Sequence, residues 1–527
     1  MNLDFAGRSD PPAKTEPRHE ASKIDERAAF ERPAPPAPSP LIGREAELSL
    51  LKDRWEQTQE GRGQIVLLVG EAGLGKSRLV SAMTRLLEEA TTESGVHPGG
   101  AHEFLIVDWR CSQHFKNSEL YPVSEFMGRV LDFATDQPPN ARFERLAQHL
   151  ENHGLNRPES IGLLAKLLFL PPDERYVITG LTPAREREET FRALRQWLGV
   201  YSAKRPTLFI VEDLHWSDAS TLEFLGQLIN ESQLERILTV LTFRPEFKVP
   251  WAIAPNPTIL ALNRLTRRQV TEWMRKDSCG ALPESLVAQI YQRTGGVPLL
   301  VEEFTRIVRE SRAFHTEGGE PRSREAITAR EIPATLQDLV VARLDHMTSD
   351  REVALLAAAL GRQFTYELFA AIASVNEQKL RVELAKLISA DILYVNGRPP
   401  HCTYFFKHAL LEEALYTAIE EPKRRHFHQR IAETMEARFA TSAETQPELL
   451  AEHFSKAGLI EKAVGYCLKA GLRSRDRFAN VEAVSHFHKG YPSLLPGSGL
   501  MASWFPGPGI TAKSQDHRTG TFDQSTF

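Results

Sequence analysis

Gly70-Glu71-Ala72-Gly73-Leu74-Gly75-Lys76-Ser77 fits the pattern GxxxxGK[ST]. Its glycines, Gly70, Gly73 and Gly75, let backbone N–H groups curl around phosphate oxygens, and a following helix adds partial positive charge. In such a loop Lys76 reaches the β- and γ-phosphates and the Ser77 hydroxyl ligates Mg2+. Phosphate chemistry also needs carboxylate at the end of a neighbouring strand, to hold the metal or position water. Leu208-Phe209-Ile210-Val211-Glu212-Asp213 supplies two acids after four apolar residues. Strand side chains alternate, so Glu212 and Asp213 should point in different directions and take different roles. Which of them joins Ser77 on the metal stays open. Thr239-Val240-Leu241-Thr242-Phe243-Arg244 is a further β-rich run ending in a polar residue. The permanent charge and planar fork of Arg244 match the oxygens of a γ-phosphate. Glu212, Asp213 and Arg244 are therefore the catalytic candidates.

These residues need a sheet to hold them. Ile65–Val69 is a short apolar, β-branched run bounded by glycines, which favours a buried parallel strand. Leu79, Val80, Met83, Leu86 and Leu87 then mark an amphipathic helix. Strands are expected at Phe104–Val107, Leu208–Val211 and Ile237–Phe243, with helices through Phe191–Tyr201 and Thr221–Ile229. The alternation predicts an α/β P-loop NTPase domain over 41–262, a parallel sheet with helices on both faces. Gln137–Arg185 reads only as a helical insertion.

Beyond Leu262 the strands fade. Short helices are expected over 266–312 and a polar linker over 313–331, giving a helical domain with linker at 263–330. Helices near 334–346, 350–360, 366–373 and 377–389 precede two β runs, Ile392–Val395 and Thr403–Phe406. This predicts a winged-helix-like domain at 331–422. Glu461-Lys462-Ala463-Val464 and Val481-Glu482-Ala483-Val484 echo each other 20 positions apart, suggesting TPR-like helical hairpins at 423–489. Residues 1–40 carry eight prolines and read as an extended, disordered lead-in. Residues 490–527 lose the helical period and read as an irregular tail, from a truncated or frame-shifted gene end.

Composition narrows the class. The chain has 527 residues, 42% apolar and 25% charged, enough for two to four soluble globular domains. A formal charge of −5 argues against a general polyanion-binding surface, and nucleic acid is not expected as a partner. Cys111, Cys279, Cys402 and Cys467 form no CxxC pair, which fits buried thiols in a reducing compartment. No apolar run approaches the roughly 20 residues needed to cross a bilayer. A cytoplasmic protein without a membrane partner is expected.

Taken together, Leu41-Ile42-Gly43-Arg44-Glu45, the P-loop, Glu212-Asp213-Leu214-His215-Trp216, Thr242-Phe243-Arg244 and Gly296-Val297-Pro298-Leu299 resemble the signal-transduction ATPases with numerous domains (STAND). The likeness is nearest to the Orc1-like AAA ATPase region behind bacterial class III adenylate cyclase domains, akin to soluble adenylyl cyclase, and covers about 41–489. It implies that Gly43 and Arg44 pack on the adenine side of the nucleotide and that Pro298 closes the base pocket. Phe405-Phe406-Lys407-His408-Ala409-Leu410 resembles a Met-His-Asp motif whose His touches the ADP β-phosphate, although Ala409 stands where that motif has Asp. His408 is accordingly a binding candidate. The cyclase domain itself would need roughly 150–200 residues with paired metal-binding aspartates, so cyclase activity is not expected in this chain.

The expectation is an ATP-binding switch using ATP/ADP and Mg2+, closed with ADP, opened by ATP and reset by slow hydrolysis. Protein partners would engage the C-terminal helical region, and a nucleotide-dependent homo-oligomer would form. The alternatives are the regulatory half of an adenylate cyclase system, acting on a separate cyclase chain, and a DNA-binding transcriptional regulator.

Overall fold

The computed structural model describes residues 41–93, 104–133, 137–178, 180–230, 236–251, 257–276, 284–306, 338, 340, 344 and 351–490. The lead-in at 1–40, the linker at 313–331, most of the helix expected near 334–346 and the tail beyond Gly490 lie outside them.

Five parallel strands form the first sheet: β1 (Gln64–Val69), β2 (Leu105–Arg110), β3 (Thr207–Glu212), β4 (Ile237–Phe243) and β5 (Thr258–Ala261). They lie in the order β2-β3-β4-β1-β5. Side-chain alternation splits their residues between two cores. Val66, Leu68, Leu208, Ile210, Leu238 and Val240 face the helices Glu45–Gln59 and Lys76–Glu93 through Leu51, Trp55, Leu79 and Met83. Leu67, Val107, Trp109, Phe209, Val211 and Leu241 face the other way, onto Phe126, Trp197 and Phe224. The strands read as nearly continuous apolar runs because both faces are covered. β1 lies between β4 and β5 although its next strand in sequence, β2, is at the sheet edge. The carboxyl end of β1 is thus a switch point, where open parallel sheets leave a crevice.

The expected insertion at Gln137–Arg185 resolves into helices Pro139–Asn152 and Pro158–Leu167, each opened by proline at its first turn, where the missing N–H costs no bond. The helix Tyr121–Val130 has no counterpart in the sequence reading; its buried Val123, Phe126, Met127 and Val130 follow helical spacing.

Residues beyond Leu265 share one continuous core, from Trp273 and Phe304 through Phe364 and Phe406 to Phe427, Phe454 and Tyr466. After helix Arg351–Leu360 comes β6 (Gln363–Thr365), then helices Tyr366–Ile372 and Glu377–Ser389, then β7 (Leu393–Arg398) and β8 (His401–Phe406). These strands form a three-stranded antiparallel sheet, β6-β8-β7, where two strands were expected. β6 escapes sequence reading because it has only three residues, too few for a period. The segment expected to join the last two strands is mostly strand, since Asn396–Arg398 pair with His401–Thr403. Helices Glu421–Arg438, Pro447–Ala457, Ile460–Asp476 and Asn480–Gly490 then pack in succession as an array.

Candidate nucleotide site

β1 ends at Val69, and the loop from Gly70 runs directly into the helix that starts at Lys76. Gly73 and Gly75 have φ of +78° and +92°, a region that L side chains rarely adopt. The two glycines have different surroundings. A Cβ at Gly75 would meet nothing within 4 Å, whereas one at Gly73 would lie 2.9 Å from Leu410 and 3.1 Å from Val297. Gly73 is therefore packed against the helical module and the helix after the wing, and Gly75 faces open space. The Leu299 N–H also donates to the Gly73 carbonyl at 3.3 Å.

Gly73→Ala should lower stability by about 1–2 kcal/mol through left-handed backbone strain alone, with the clash against Leu410 and Val297 added. Denaturant midpoints of variant and parent measure this loss; equal midpoints would show that the loop is free of these modules.

The Lys76 ammonium folds back onto its own loop, donating to the carbonyls of Gly70 at 2.7 Å and Glu71 at 3.0 Å. Burial pushes its pKa below the usual lysine value, with nearby Asp213 opposing the shift and Arg244 adding to it. Ser77 is half-buried at the start of the helix.

The two acids diverge as alternation requires. Glu212 is the last residue of β3, 4% exposed, and shares its parity with Leu208 and Ile210 on the P-loop-helix face. Asp213 leaves the strand with φ +56°, its N–H donating to Thr242 Oγ1 at 3.0 Å. Its carboxylate accepts from Arg362 at 2.6 Å, a residue just ahead of β6. Burial would raise the Asp213 carboxyl, but Arg362, His215 and Lys76 outweigh it and the net pKa falls below the ordinary value. Asp213 thus has Lys76 and Arg362 as cationic neighbours, one in the P-loop and one just ahead of β6.

Arg244 follows β4, half-buried, with its guanidinium 5.8 Å from the Trp216 ring. His215 lies beside Trp216, with ring centroids 5.0 Å apart. Among the described residues neither His215 nitrogen has a hydrogen-bond partner, although both are buried. Burial, reinforced by Arg244 and Lys76 and opposed by Asp213, lowers its pKa to about 4, so the ring is neutral near pH 7.

Arg44 is buried and donates to the carbonyls of Leu74, at 3.3 Å, and of Asn263. It ties the segment before the first helix to the P-loop and to the exit of β5. Gly43 lies against the Gln269 amide, which donates to its carbonyl at 3.5 Å. Pro298 is buried at the start of the helical residues 298–306, between Val297 and Leu299. His408 precedes the helix Ala409–Thr417, with Nε2 buried and unpartnered. Burial lowers its pKa to about 4, and its charged neighbours are Glu302, Lys407, Arg78 and Asp391. Arg78, one residue past Ser77, pairs with Glu302 at 2.9 Å. Lys407 and Arg306 both pair with Asp391, so this network ties the P-loop helix to the helical and wing modules.

The fold therefore gathers the P-loop, Glu212, Asp213 and Arg244 at the carboxyl ends of the inner strands β1, β3 and β4, with Arg44 and Pro298 flanking the loop. The residue set fits a triphosphate and a divalent cation: an ammonium donating to loop carbonyls, open space at Gly75, paired acids and an orphaned imidazole. Three participants were given no role by the sequence. Arg362 acts across 149 positions, Thr242 through a hydroxyl to backbone, and His215 through nitrogens without a partner among the described residues. Thr242 and His215 each lay inside a motif already singled out.

Residues 40–240 match the family model described as an AAA ATPase domain. That match covers the sheet module from its first helix into β4, short of β5, and implies a nucleotide-binding ATPase there. An uncharacterized protein of Rhizobium meliloti (strain 1021) is 28% identical over 450 residues, covering 84% of this chain and 42% of that protein. The chain thus spans less than half the length of this curated relative. Among solved structures, the Aeropyrum pernix ORC1 protein in complex with DNA is 14% identical with a TM-score of 0.34, covering 72% of this chain and 94% of that one. Drosophila ORC bound to DNA is 13% identical with a TM-score of 0.32, covering 79% of this chain and 96% of that one. Among the described residues no helix is long and apolar enough to cross a membrane.

Proposed function

We propose that the protein is a nucleotide-dependent switch that binds ATP or ADP with Mg2+ and hydrolyses ATP slowly. The observation that carries this reading is the division of one site among separate modules. The P-loop packs through Gly73 on Val297 and Leu410, while the strand-end carboxylate Asp213 pairs with Arg362 of the wing module. A change at the phosphates is therefore felt by every module that touches the loop. We read residues 331–422 as a winged-helix-like domain and 423–489 as TPR-like helical hairpins, the surface for protein partners.

Each side chain has a physical role in this reading. Backbone N–H groups of Gly73–Lys76 cradle phosphate oxygens, and the Lys76 ammonium exchanges its loop carbonyls for the β- and γ-phosphates. Ser77 with Asp213 or Glu212 would hold the cation, which supplies charge neutralisation between the phosphates. The other carboxylate orients water, and the neutral His215 ring offers it a further hydrogen-bond partner. Arg44 and Pro298 bound the base pocket. Arg244 reads the γ-phosphate, and His408 links that state to the helical module through its charged neighbours.

Molar mass in solution, measured with ADP and then with a non-hydrolysable ATP analogue, tests the switch. A larger or more extended species with the analogue is expected; identical profiles with both nucleotides would sink it. Arg244→Ala should retain nucleotide binding while losing discrimination between ATP and ADP, as read by titration calorimetry. Because a charge-assisted contact to phosphate contributes about 1.5–3 kcal/mol, the ratio of the two affinities should change roughly tenfold or more.

A further inference from the structure

Where the sheet module, the wing and the helical array meet, a cavity of about 380 Å3 opens. Arg110, Arg129 and Arg362 stand on its wall with one carboxylate, Glu125. Glu125 pairs with Arg129 at 3.0 Å. The acids that pair with the other two, Asp108 at 3.0 Å and Asp213 at 2.6 Å, are not among the described residues of the wall. Arg110 and Arg362 thus line the space without a carboxylate among the described residues of its wall to answer them.

The remaining wall is aromatic and polar. Phe115 and Tyr121 stack at 3.7 Å, and Phe405 stacks on Tyr394 at 5.0 Å. The Tyr121 hydroxyl accepts from Gln363 at 3.1 Å, joining the sheet module to the wing across this space. The volume is within the range of small-molecule sites.

We propose that this cavity is an effector site for a small organic oxyanion carrying a planar ring, and that its ligand competes with Asp213 for Arg362. Guanidinium forks take a carboxylate or a phosphate in two parallel hydrogen bonds, and flat aromatic walls take the ring. A ligand that draws Arg362 toward the cavity releases Asp213 to the nucleotide. Because three modules build the wall, its affinity depends on how they are arranged, and the two sites are coupled in both directions. The coupling rests on reading Asp213 as a nucleotide-site carboxylate; binding in the cavity does not.

The test uses the full chain with saturating ADP, to keep the P-loop filled, and two probes: benzoate and phenyl phosphate. Calorimetry should show saturable binding of at least one, with a Kd at or below about 1 mM. Benzoate alone would identify a carboxylate ligand, and phenyl phosphate alone a phosphate monoester. Arg129→Gln should weaken the bound probe about tenfold, and Thr403→Phe, which narrows the cavity, should abolish its binding while leaving ADP affinity unchanged. No saturation by either probe, or parent-like affinity in both variants, overturns the site. In the parent the bound probe should raise ATP turnover severalfold. Turnover indifferent to bound probe overturns the competition for Arg362. Probe binding without any ATP turnover upholds the cavity and overturns the nucleotide reading instead.

Discussion

Lys76→Ala is expected to cut ATP turnover by a factor on the order of 100 or more, since it deletes the charge aimed at the β- and γ-phosphates. Its effect on the fold should be small and of the opposite sign to most buried substitutions. Lys76 is 7% exposed, and among the described residues its ammonium donates to the carbonyls of Gly70 and Glu71. Burial already depresses its pKa, so the folded protein bears a desolvation cost that alanine removes. The sign of the pH effect follows. A lysine whose folded pKa lies below its unfolded value binds its proton less tightly when folded. The parent should therefore gain stability relative to Lys76→Ala as pH rises through the depressed folded pKa toward the usual lysine value. Thermal melts between neutral and alkaline pH, beside single-turnover hydrolysis, check both parts. Parent-like turnover in the variant would remove the P-loop from the mechanism.

The sheet module was legible because its signals are local. The run Ile65–Val69, the glycines after it and the apolar positions from Leu79 to Leu87 each sit within one element, and the phosphate loop needs little more than that sequence. Glu212 and Asp213 could likewise be placed at a strand end. Their roles diverge for reasons that a window of residues cannot hold. Asp213 adopts φ +56°, is fixed by a hydroxyl on the adjacent strand β4, and takes its ion partner from Arg362. Arg362 stands in Gly361-Arg362-Gln363-Phe364, which has no periodicity and no motif; only the pairing of β6 with β8 brings it to the carboxyl end of β3. The same limit applies to Glu482. Its sequence echo with residues 461–464 pointed to a repeat, yet its carboxylate is buried and accepts from the Ser220 N–H and hydroxyl, both at 2.7 Å. The array is thereby anchored to the helix that follows Asp213, a contact of |i−j| 262 that repeat analysis does not address.

Arg362→Gln should destabilise the protein and quicken it at once. The pair with Asp213 leaves the side chains only 26% and 17% exposed, and removing one partner strands the other charge. Because the pair is part-buried and Asp213 keeps Lys76 nearby, the loss should cost about 1–3 kcal/mol, which denaturant midpoints would register. Asp213→Asn, Arg362→Gln together should cost less than Arg362→Gln alone, because the stranded carboxylate is gone; a purely additive pair would show that the contact carries no coupling energy. Acid dependence follows from the same geometry. Asp213 has a folded pKa below its ordinary value, so its contribution is complete above the unfolded pKa of about 3.8 and is lost as pH falls through the depressed folded value. The difference in stability between parent and Arg362→Gln should therefore shrink as pH falls through the folded Asp213 pKa of the variant toward the depressed value of the parent. The variant's value is the higher one, because the guanidinium that outweighs burial is gone. Catalysis moves the other way. With Arg362 gone, Asp213 keeps Lys76 as a neighbour and is released from the wing, so ATP turnover should rise severalfold, whereas Asp213→Asn should lose turnover. Slower turnover in Arg362→Gln would recast this arginine as a positioning residue for hydrolysis rather than a restraint upon it.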